Sequence, residues 1–301
     1  MFRHILVPLD GSALAESALP AAAYLAQALD ANVTLLHMIE RDAPQEIHGQ
    51  HHLTNTEEAQ AYLQNTAQRA FPPGARVQIH VHTAAVEDVA RSIVDHTSEL
   101  DPDLIIMCTH GRGGVRDLLA GSIAHQVIST GKTPVLLIRP DENGRKDAIN
   151  FRSLCVAMDG RDEHERGLDR VGEMALKLGA RLHLVTVIET LSTLGAKEAA
   201  TGRLLPAATR VLLELAEESA CEHLGSHAEI WEQQGILVHA DVGRGEPAAM
   251  IVRIAKEAGD DLVVLGTHGR SAIGSFWSGS VAPRVLSLTD IPLLLIPVGK
   301  E

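Results

Sequence analysis

The chain contains two copies of one pattern, and this repetition limits its fold more than any other feature. An apolar strand that ends in Asp-Gly occurs at residues 4–12 (HILVPLDGS) and again at residues 153–161 (SLCVAMDGR). The segment 103–112 (DLIIMCTHGR) returns at 261–270 (DLVVLGTHGR), and 133–140 returns at 291–297. An internal repeat fixes the architecture before any single motif is interpreted. We therefore expect two domains of the same fold, fused in tandem.

The spacing of the repeats places the domain boundaries. The copies are offset by 149 residues at the first strand and by 158 residues at the two later segments, so copy two holds nine extra residues. We assign them to its second helix, around 204–234. The stretch 141–150 is polar and lacks apolar periodicity, as a short linker does. We therefore predict domains at 1–140 and 151–301, called copy one and copy two below, joined by this linker.

Each copy alternates aliphatic strands with amphipathic helices, a pattern typical of a parallel sheet covered on both faces. In the first helix, Ala15, Leu19, Ala22 and Leu29 fall on one face at helical spacing. The predicted fold class is α/β, with two tandem doubly wound, Rossmann-like domains that each have a five-stranded parallel sheet. In copy one we predict strands near 3–9, 33–39, 77–82, 104–108 and 135–138, and helices near 13–29, 54–70, 86–98 and 121–130. In copy two the strands are predicted near 153–158, 182–188, 236–242, 262–266 and 293–296.

The composition narrows the class of protein. The net charge is −13 and both halves are acidic, which excludes a basic nucleic-acid-binding module. No apolar run approaches the ~20 residues that cross a bilayer, and the three cysteines have neither a disulfide framework nor a zinc-ligand spacing. We therefore expect a soluble cytoplasmic protein without a nucleic-acid or membrane partner.

The last strand of each copy is too apolar to remain at an open sheet edge. Both strands, 135–138 and 293–296, consist of aliphatic residues. An exposed edge of this kind is a template for pairing. We predict that the two strands pair with each other, as an intramolecular pseudo-dimer, or with another chain, as in a homodimer.

Ligands of an open parallel sheet bind outside the carboxyl ends of its strands, where the strand order reverses. The loops with unusual residues at those ends are 10–12 and 109–111 in copy one, and 159–161 and 266–269 in copy two. If the first and fourth strands are neighbours, the two loops of each copy border one crevice. A third loop, at 243–248 in copy two and 83–86 in copy one, is expected at the same edge.

Copy two has a distinctive glycine pattern after its fourth strand. Gly266, Gly269 and Gly279-Ser280 occur in the order Gly-x2-Gly-x9-Gly-Ser, and a helical pattern follows from Val281. Glycine lets the backbone approach a ligand closely, and the start of a helix offers free N–H groups to an anion. The pattern therefore favours phosphate binding.

With this spacing the chain resembles the universal stress protein family, whose ATP-binding signature copy two matches at every position. The resemblance covers nearly the whole chain, and it implies an adenine nucleotide alpha hydrolase-like fold, a role in stress adaptation, and ATP, ADP or AMP as ligand, with or without Mg²⁺. It implies that backbone amides and the Ser280 hydroxyl surround the phosphates, and that Asp159 faces the ribose and adenine. Val187 would lie against the base, and His268 would either fix the loop or contact the ligand. The residues implied in copy two are Asp159, Val187, Gly266, His268, Gly269, Gly279, Ser280 and Val281.

Copy one keeps the pattern incompletely. Cys108 stands at the position of the first glycine, where a side chain would crowd the phosphate path. The strand end at 8–10 (Pro-Leu-Asp), however, matches the family better than 157–159 does. We expect copy two to be the main nucleotide site. The candidate residues of copy one are Pro8, Asp10, Met38, Gly111, Gly121 and Ser122.

Two other functions stay open. Cys108 and the altered third loop of copy one favour a protein-interaction scaffold with vestigial nucleotide sites. Asp10 or Asp159 beside a nearby histidine would allow slow ATP hydrolysis at most. No catalytic residue is assigned, because neither a general-base arrangement nor a carboxylate pair for Mg²⁺ is evident. The sequence names no protein partner.

Several other motifs indicate structure rather than a ligand. Residues 131–133 (Gly-Lys-Thr) follow a helix instead of preceding one, unlike a Walker loop. Residues 243–248 lack the acidic residue that a dinucleotide site needs about 20 positions on. His48, His51 and His52 form a loop cluster in which we expect exposed side chains, and His80 and His82 share one strand face, where we expect packing or solvent exposure. We assign no metal site.

Overall fold

The computed structural model describes residues 1–41, 46–47, 50–109, 122–140, 149–161, 167–190, 193, 206–268 and 281–298. Within these ranges, copy one consists of β1 (His4–Pro8), α1 (Ala13–Glu16), α2 (Leu19–Leu29), β2 (Asn32–Glu40), β3 (Glu46–Ile47), β4 (Gln50–His51), α3 (Thr56–Ala70), β5 (Val77–Val86), α4 (Val89–Leu100), β6 (Leu104–Cys108), α5 (Ser122–Thr130) and β7 (Val135–Ile138). Copy two consists of β8 (Ser153–Ala157), α6 (Leu168–Leu178), β9 (Arg181–Ile188), α7 (Pro206–Gln233), β10 (Val238–Arg244), α8 (Pro247–Ala258), β11 (Leu262–His268), α9 (Val281–Leu288) and β12 (Leu293–Val298).

The two copies share one strand order within a continuous ten-stranded sheet. The order is β10-β9-β8-β11-β12-β7-β6-β1-β2-β5. Within this sheet, all neighbouring strands are parallel except β12 and β7, and β3 and β4 form a separate antiparallel pair. Helices cover both faces of the sheet, around two apolar cores that each draw residues from both copies. The α/β, doubly wound fold class is confirmed, and the strand order reverses beside the first strand of each copy.

The extra residues of copy two lie largely in α7, which has 28 residues where α3 has 15. Val33 pairs with Val77 in copy one, and Leu182 pairs with Val238 in copy two. The third strands are therefore offset by 161 residues (238 minus 77), which is more than the 158 of the later strands. The net difference of nine residues combines an insertion of about twelve before the third strand with a shortening of about three after it.

The first predicted helix, 13–29, is wrong as a single element, because the structure has two helices there. The Ser17 hydroxyl donates to the Leu14 carbonyl (2.7 Å) as α1 ends, and α2 begins at Leu19. Pro20 has no N–H to donate to the carbonyl of Glu16, four residues earlier, and its ring clashes with that carbonyl. The helix therefore breaks just before the proline.

Five strands continue past their predicted ends, because each keeps pairing with its neighbour; they are β2, β5, β10, β11 and β12. After a bulge, β5 still pairs Val86 with Glu40, so residues 83–86 are strand and not the third loop of copy one. The predicted start of the next helix at 86 is wrong for the same reason. On the other side of the sheet, β10 continues through Arg244 and β11 through His268. The loops at this edge therefore begin later than predicted.

The two copies meet at an antiparallel pair of apolar strands. Residues 135–137 of β7 pair with residues 293–295 of β12, and these leucines and valine are buried. The prediction that the two final strands pair with each other is confirmed. Arg139 extends this contact, because its Nη1 donates to the carbonyls of Leu286 and Thr289, both at 3.3 Å. Its Nε also lies 3.1 Å from a carboxylate oxygen of Asp290.

Replacing Arg139 by glutamine should lower the free energy of unfolding by about 1 kcal/mol, because two carbonyls at the end of α9 lose their donor. The ion pair with Asp290 adds little, since that carboxylate is exposed. Urea-induced unfolding measures the effect. Arg91→Gln is the control, because its only ion pair shown is with Asp95 on the exposed face of α4. Equal stabilities of the two variants would contradict a contribution from Arg139 to the contact between the copies.

Candidate functional site

The loops that the sequence analysis selected leave neighbouring strands. In copy one, β1 lies between β2 and β6, and in copy two, β8 lies between β9 and β11. Leu265 pairs with Ala157, so Gly266 and Met158 are the next residues along two adjacent strands. Gly266 thus lies beside the strand end that carries Asp159. The structure brings together, within each copy, the exits of the first and fourth strands.

In each copy, a side chain of the second strand forms a hydrogen bond to a backbone carbonyl at the end of the first strand. In copy one, Nδ1 of the buried His37 lies 2.7 Å from the carbonyl oxygen of Leu9. In copy two, Thr186 holds the equivalent position and its hydroxyl donates to the carbonyl of Met158 (3.0 Å). Both carbonyls directly precede the Asp-Gly turn. These two side chains were missed in the sequence, although both lie one residue before a candidate site residue, Met38 in copy one and Val187 in copy two.

The aspartate of each turn folds back onto its own loop. Asp10 Oδ1 accepts a hydrogen bond from the backbone N–H of Ser12 (2.9 Å), and Asp159 Oδ1 accepts one from that of Arg161 (3.2 Å). The glycine between them has a positive φ, 90° at Gly11 and 73° at Gly160, which L-residues with a side chain rarely adopt. Asp159 Oδ2 also lies 3.8 Å from Nε of Arg161.

Copy one has a cavity at this edge of about 680 Å³, a volume that includes its opening to solvent. The walls are mostly apolar, and the polar groups are on Asp10, His37, Glu40 and His52. Pro8, Asp10 and Met38, three of the residues proposed for copy one, line the cavity together with Cys108 and the first turn of α5.

The two copies differ most at the end of the fourth strand. Cys108 pairs with Ile138, and Gly266 pairs with Ile296 at the equivalent point of copy two. Burial, followed by the nearby charge of Asp10, raises the pKa of the Cys108 thiol to about 12, so the thiol stays protonated. Copy one therefore has a neutral side chain at a position where copy two has only backbone.

The side chains at the ends of the second strands also differ in size, and the smaller one is again in copy two. Met38 is buried and accepts a weak hydrogen bond from the Ser92 hydroxyl (Sδ to Oγ, 3.5 Å). Val187, its counterpart, is partly exposed at the edge. With Gly266 for Cys108, Val187 for Met38 and Thr186 for His37, copy two has the smaller side chain at each of three matched positions. The strand ends of copy two are therefore less bulky at these three positions.

Part of the glycine signature lies outside the described residues. This applies to His110, Gly111, Gly121, Gly269, Gly279 and Ser280, and to the side chains of Ser122 and His268. The backbones of Ser122 and Val281 begin helices α5 and α9, and that of His268 ends β11. Helix starts thus lie where the sequence placed them, directly after the predicted phosphate-binding segments.

In the third loop of copy two, a glutamate side chain caps the start of the following helix. The Glu246 side chain accepts hydrogen bonds from the backbone N–H groups of Ala248 (3.3 Å) and Ala249 (2.9 Å) at the start of α8, and it forms an ion pair with Arg284 (3.2 Å). A carboxylate already satisfies this helix start. This agrees with the sequence argument against a dinucleotide site at 243–248.

One expectation for the histidine-rich loop was wrong. His52 is not an exposed loop side chain, because it is buried and lines the cavity of copy one. His48 and the side chain of His51 lie outside the described residues. The burial of His52 could not be predicted from the sequence, because it depends on a contact between distant segments. The segment after β4 packs against the end of β2, where His37 Nε2 lies 3.1 Å from the Leu53 carbonyl oxygen.

These features define a tandem Rossmann-like protein in which the ends of the first and fourth strands lie side by side at the strand-order reversal of each copy. The chain belongs to the universal stress protein family, because the model of that family matches residues 1–139 and 150–297. A universal stress protein of Mycolicibacterium smegmatis is 25% identical over 306 residues, which cover 97% of this chain and 96% of that protein. One from Methanocaldococcus jannaschii is 30% identical over 153 residues, 50% of this chain and 85% of that protein. The crystal structure of a universal stress protein from Archaeoglobus fulgidus superposes with a TM-score of 0.70 at 20% identity and covers 98% of both chains, so the likeness is one of fold.

None of the described helices combines the length and the apolar character that crossing a bilayer requires.

Proposed function

We propose that the chain is a stress-response regulatory protein that binds ATP or another adenine nucleotide at the carboxyl edge of the sheet, mainly in copy two. One observation carries the proposal: β8 and β11 are neighbours, so Gly266 lies beside the exit that holds Asp159. This is the strand-order reversal at which open α/β sheets bind their ligands.

The chemistry at this edge suits each part of the nucleotide. Val187 offers an apolar, partly exposed surface for the base, and Asp159 offers carboxylate oxygens that accept hydrogen bonds from ribose hydroxyls or the adenine amino group. Gly266 and the start of α9 at Val281 offer backbone approach and free N–H groups for phosphate oxygens. We propose that Gly269, Gly279, Ser280 and His268 complete the phosphate side, with or without Mg²⁺.

We propose a weaker second site in copy one, formed by Pro8, Asp10 and Met38 with Gly111, Gly121 and Ser122. Its cavity lies at the matching edge of the sheet, but the protonated Cys108 thiol lines it on the side proposed for the phosphates. A neutral side chain there removes both the space and the backbone contact that glycine provides.

In the proposed function the nucleotide acts as a signal rather than as a substrate. Binding can change the surfaces offered to protein partners only if one conformation binds the nucleotide more tightly. The antiparallel β7–β12 pair links the two copies in one sheet, so an adjustment in copy two has a direct mechanical route to copy one. We further propose that this occurs in the cytoplasm, where the free thiols of Cys108, Cys155 and Cys221 would remain reduced.

Equilibrium titration of the full chain with ATP, ADP and AMP, each with and without Mg²⁺, tests the proposal. We expect about one equivalent of adenine nucleotide per chain at high affinity, and mass spectrometry of the denatured protein should identify any nucleotide that co-purifies. An interaction scaffold would purify empty and show no saturable binding. Release of phosphate above the background of an Asp159→Ala variant would instead favour the slow ATPase.

A further inference from the structure

Three histidines converge at the outer edge of copy one, away from the nucleotide edge. His80 and His82 lie on one face of β5, the last strand of the sheet, and His96 lies on α4, which covers that face. The ring centroid of His96 is 5.2 Å from that of His80 and 4.8 Å from that of His82. One nitrogen from each ring can be chosen so that all three lie within 4.8 Å of one another. His80 and His82 are partly exposed and His96 is buried, so the cluster is reached from one side.

The orientation of His96 is set by its backbone partner. Its Nδ1 lies 2.7 Å from the Ser92 carbonyl oxygen, one turn earlier in α4, so Nδ1 carries the proton and Nε2 keeps its lone pair. Metal-binding histidines usually donate their second ring N–H to a carbonyl or carboxylate in this way. A carboxylate oxygen of Glu99 lies 3.8 Å from the same Nε2, where it can supply a further ligand or orient a bound water.

No hydrogen bond shown for the described residues joins the three imidazoles, so mutual hydrogen bonding does not account for their approach. A histidine cluster in copy two, which contains His183 and His239, is different in this respect. There, His183 contacts Asp260 through Nδ1 (2.7 Å) and Asp241 through Nε2 (3.0 Å), so hydrogen bonds to carboxylates occupy both of its ring nitrogens. Among the described residues, no hydrogen bond to a carboxylate is shown for His80, His82 or His96, and the nearest contact is the 3.8 Å ion pair with Glu99.

Copy two shows that the fold does not need histidines at this place. By the offsets of β10 and α8, the matching residues are Asp241, Gly243 and Ile254. A Cβ built on Gly243 would lie only 2.9 Å from Cδ1 of Ile254, so an isoleucine packed on a glycine fills the position where copy one has His96 against His82. An apolar pair is therefore sufficient for packing the helix on the outer strand.

We propose that His80, His82 and His96 form a binding site for a divalent transition metal of the zinc class, with Glu99 or water as the remaining ligand. Three imidazoles are a known zinc ligand set, and an imidazole set also suits copper, nickel and iron but not magnesium or calcium. Zinc–nitrogen bonds of about 2.0–2.1 Å place ligand nitrogens about 3.3 Å apart, which small rotations of these side chains would achieve.

The placement of the cluster favours this assignment. A metal here would tie α4 to the outermost strand. His82 pairs with Met38 on the neighbouring strand, so the metal would lie next to the wall of the copy-one cavity.

Zinc binding by the full chain, after removal of metal with EDTA, tests the proposal. We expect one tight Zn²⁺ equivalent per chain in a competition titration with a chromogenic chelator. His80→Gln and His96→Gln should each weaken binding at least about 100-fold, since replacing even the hydrogen-bond partners of metal ligands costs 10- to 100-fold. His239→Gln is the matched control and should retain full affinity, because His239 lies beside His183 and Asp241 in the copy-two cluster. Co²⁺ in place of Zn²⁺ should give a visible absorption band that both copy-one variants lose.

Specific results would overturn the site. If the wild-type chain binds no tight Zn²⁺ equivalent, or if His80→Gln binds Zn²⁺ with unchanged affinity, the three histidines pack together without forming a metal site. Loss of binding in His239→Gln alone would move the metal to copy two. Circular dichroism checks that the variants are folded; if the buried His96→Gln fails this check, the partly exposed His80→Gln decides.

Discussion

Replacing Gly266 by cysteine should weaken adenine-nucleotide binding by the chain about 10- to 100-fold. The change gives copy two the side chain that copy one carries at the matched strand position, Cys108. Inserting a side chain into an occupied or closely approached space costs about 1–3 kcal/mol, and each 1.4 kcal/mol corresponds to a factor of ten in affinity. Isothermal titration with the nucleotide identified in the wild-type chain measures the loss.

The reverse replacement, Cys108→Gly, is the matched variant. It removes the thiol from the edge of the copy-one cavity while leaving Pro8, Asp10 and Met38 in place. We expect it to raise the stoichiometry toward two nucleotides per chain or to tighten a weak second site. If Gly266→Cys binds as tightly as wild type and Cys108→Gly gains nothing, the fourth-strand glycine does not determine which copy binds.

The general fold was predictable because it depends on signals repeated along the chain. Aliphatic strands, Asp-Gly exits and a pattern seen twice at fixed offsets together define two doubly wound units. The break in the first helix was missed, although Pro20 signals it, because proline cannot donate to a carbonyl four residues earlier. The pairing of the apolar strands 135–138 and 293–296 followed from the cost of leaving them exposed.

The features that were missed depend on contacts between distant residues. β5 continues to Val86 because Val86 still pairs with Glu40 of β2, and the local sequence of residues 83–86 does not indicate this pairing. His37 and Thr186 hold equivalent carbonyls although one is an imidazole and the other a hydroxyl, so residue type does not reveal the shared role. His96 joins His80 and His82 only because α4 packs on β5.

Replacing Asp260 by asparagine should lower the free energy of unfolding of copy two by about 3 kcal/mol at pH 6. The Asp260 carboxylate is fully buried, 2.7 Å from His183 Nδ1, and it also accepts from the Ser153 hydroxyl. Arg181 supports the group by donating from Nε to Ser153 Oγ (2.7 Å). Breaking a buried pair by removing one charge typically costs 3–5 kcal/mol, because the other charge is left without compensation.

The pH dependence of this effect has a definite sign. Burial alone would lower the pKa of His183, but the hydrogen bonds and charges of Asp260 and then Asp241 outweigh it and raise the pKa. A raised histidine pKa contributes stability that is fully present below the unfolded value of about 6.5 and is lost as the pH rises through the folded value. The difference between wild type and Asp260→Asn should therefore be largest near pH 6 and shrink at higher pH.

Tryptophan fluorescence during urea unfolding can follow copy two alone, because both tryptophans of the chain, Trp231 and Trp277, belong to it. Asp241→Asn is the matched control, since this second partner of His183 is half exposed, and water can replace much of what it contributes. A loss of 1 kcal/mol or less is expected there. A loss for Asp260→Asn that stays constant from pH 6 to well above the raised His183 pKa would mean that a neutral imidazole fills the site, with hydrogen bonding rather than charge as the source of stability.

Copy one lacks this His–Asp pair, because Pro102 occupies the position that matches Asp260, and His4 contacts Thr34 instead (2.8 Å). The charge pair is thus specific to the half of the chain that we propose as the main nucleotide site.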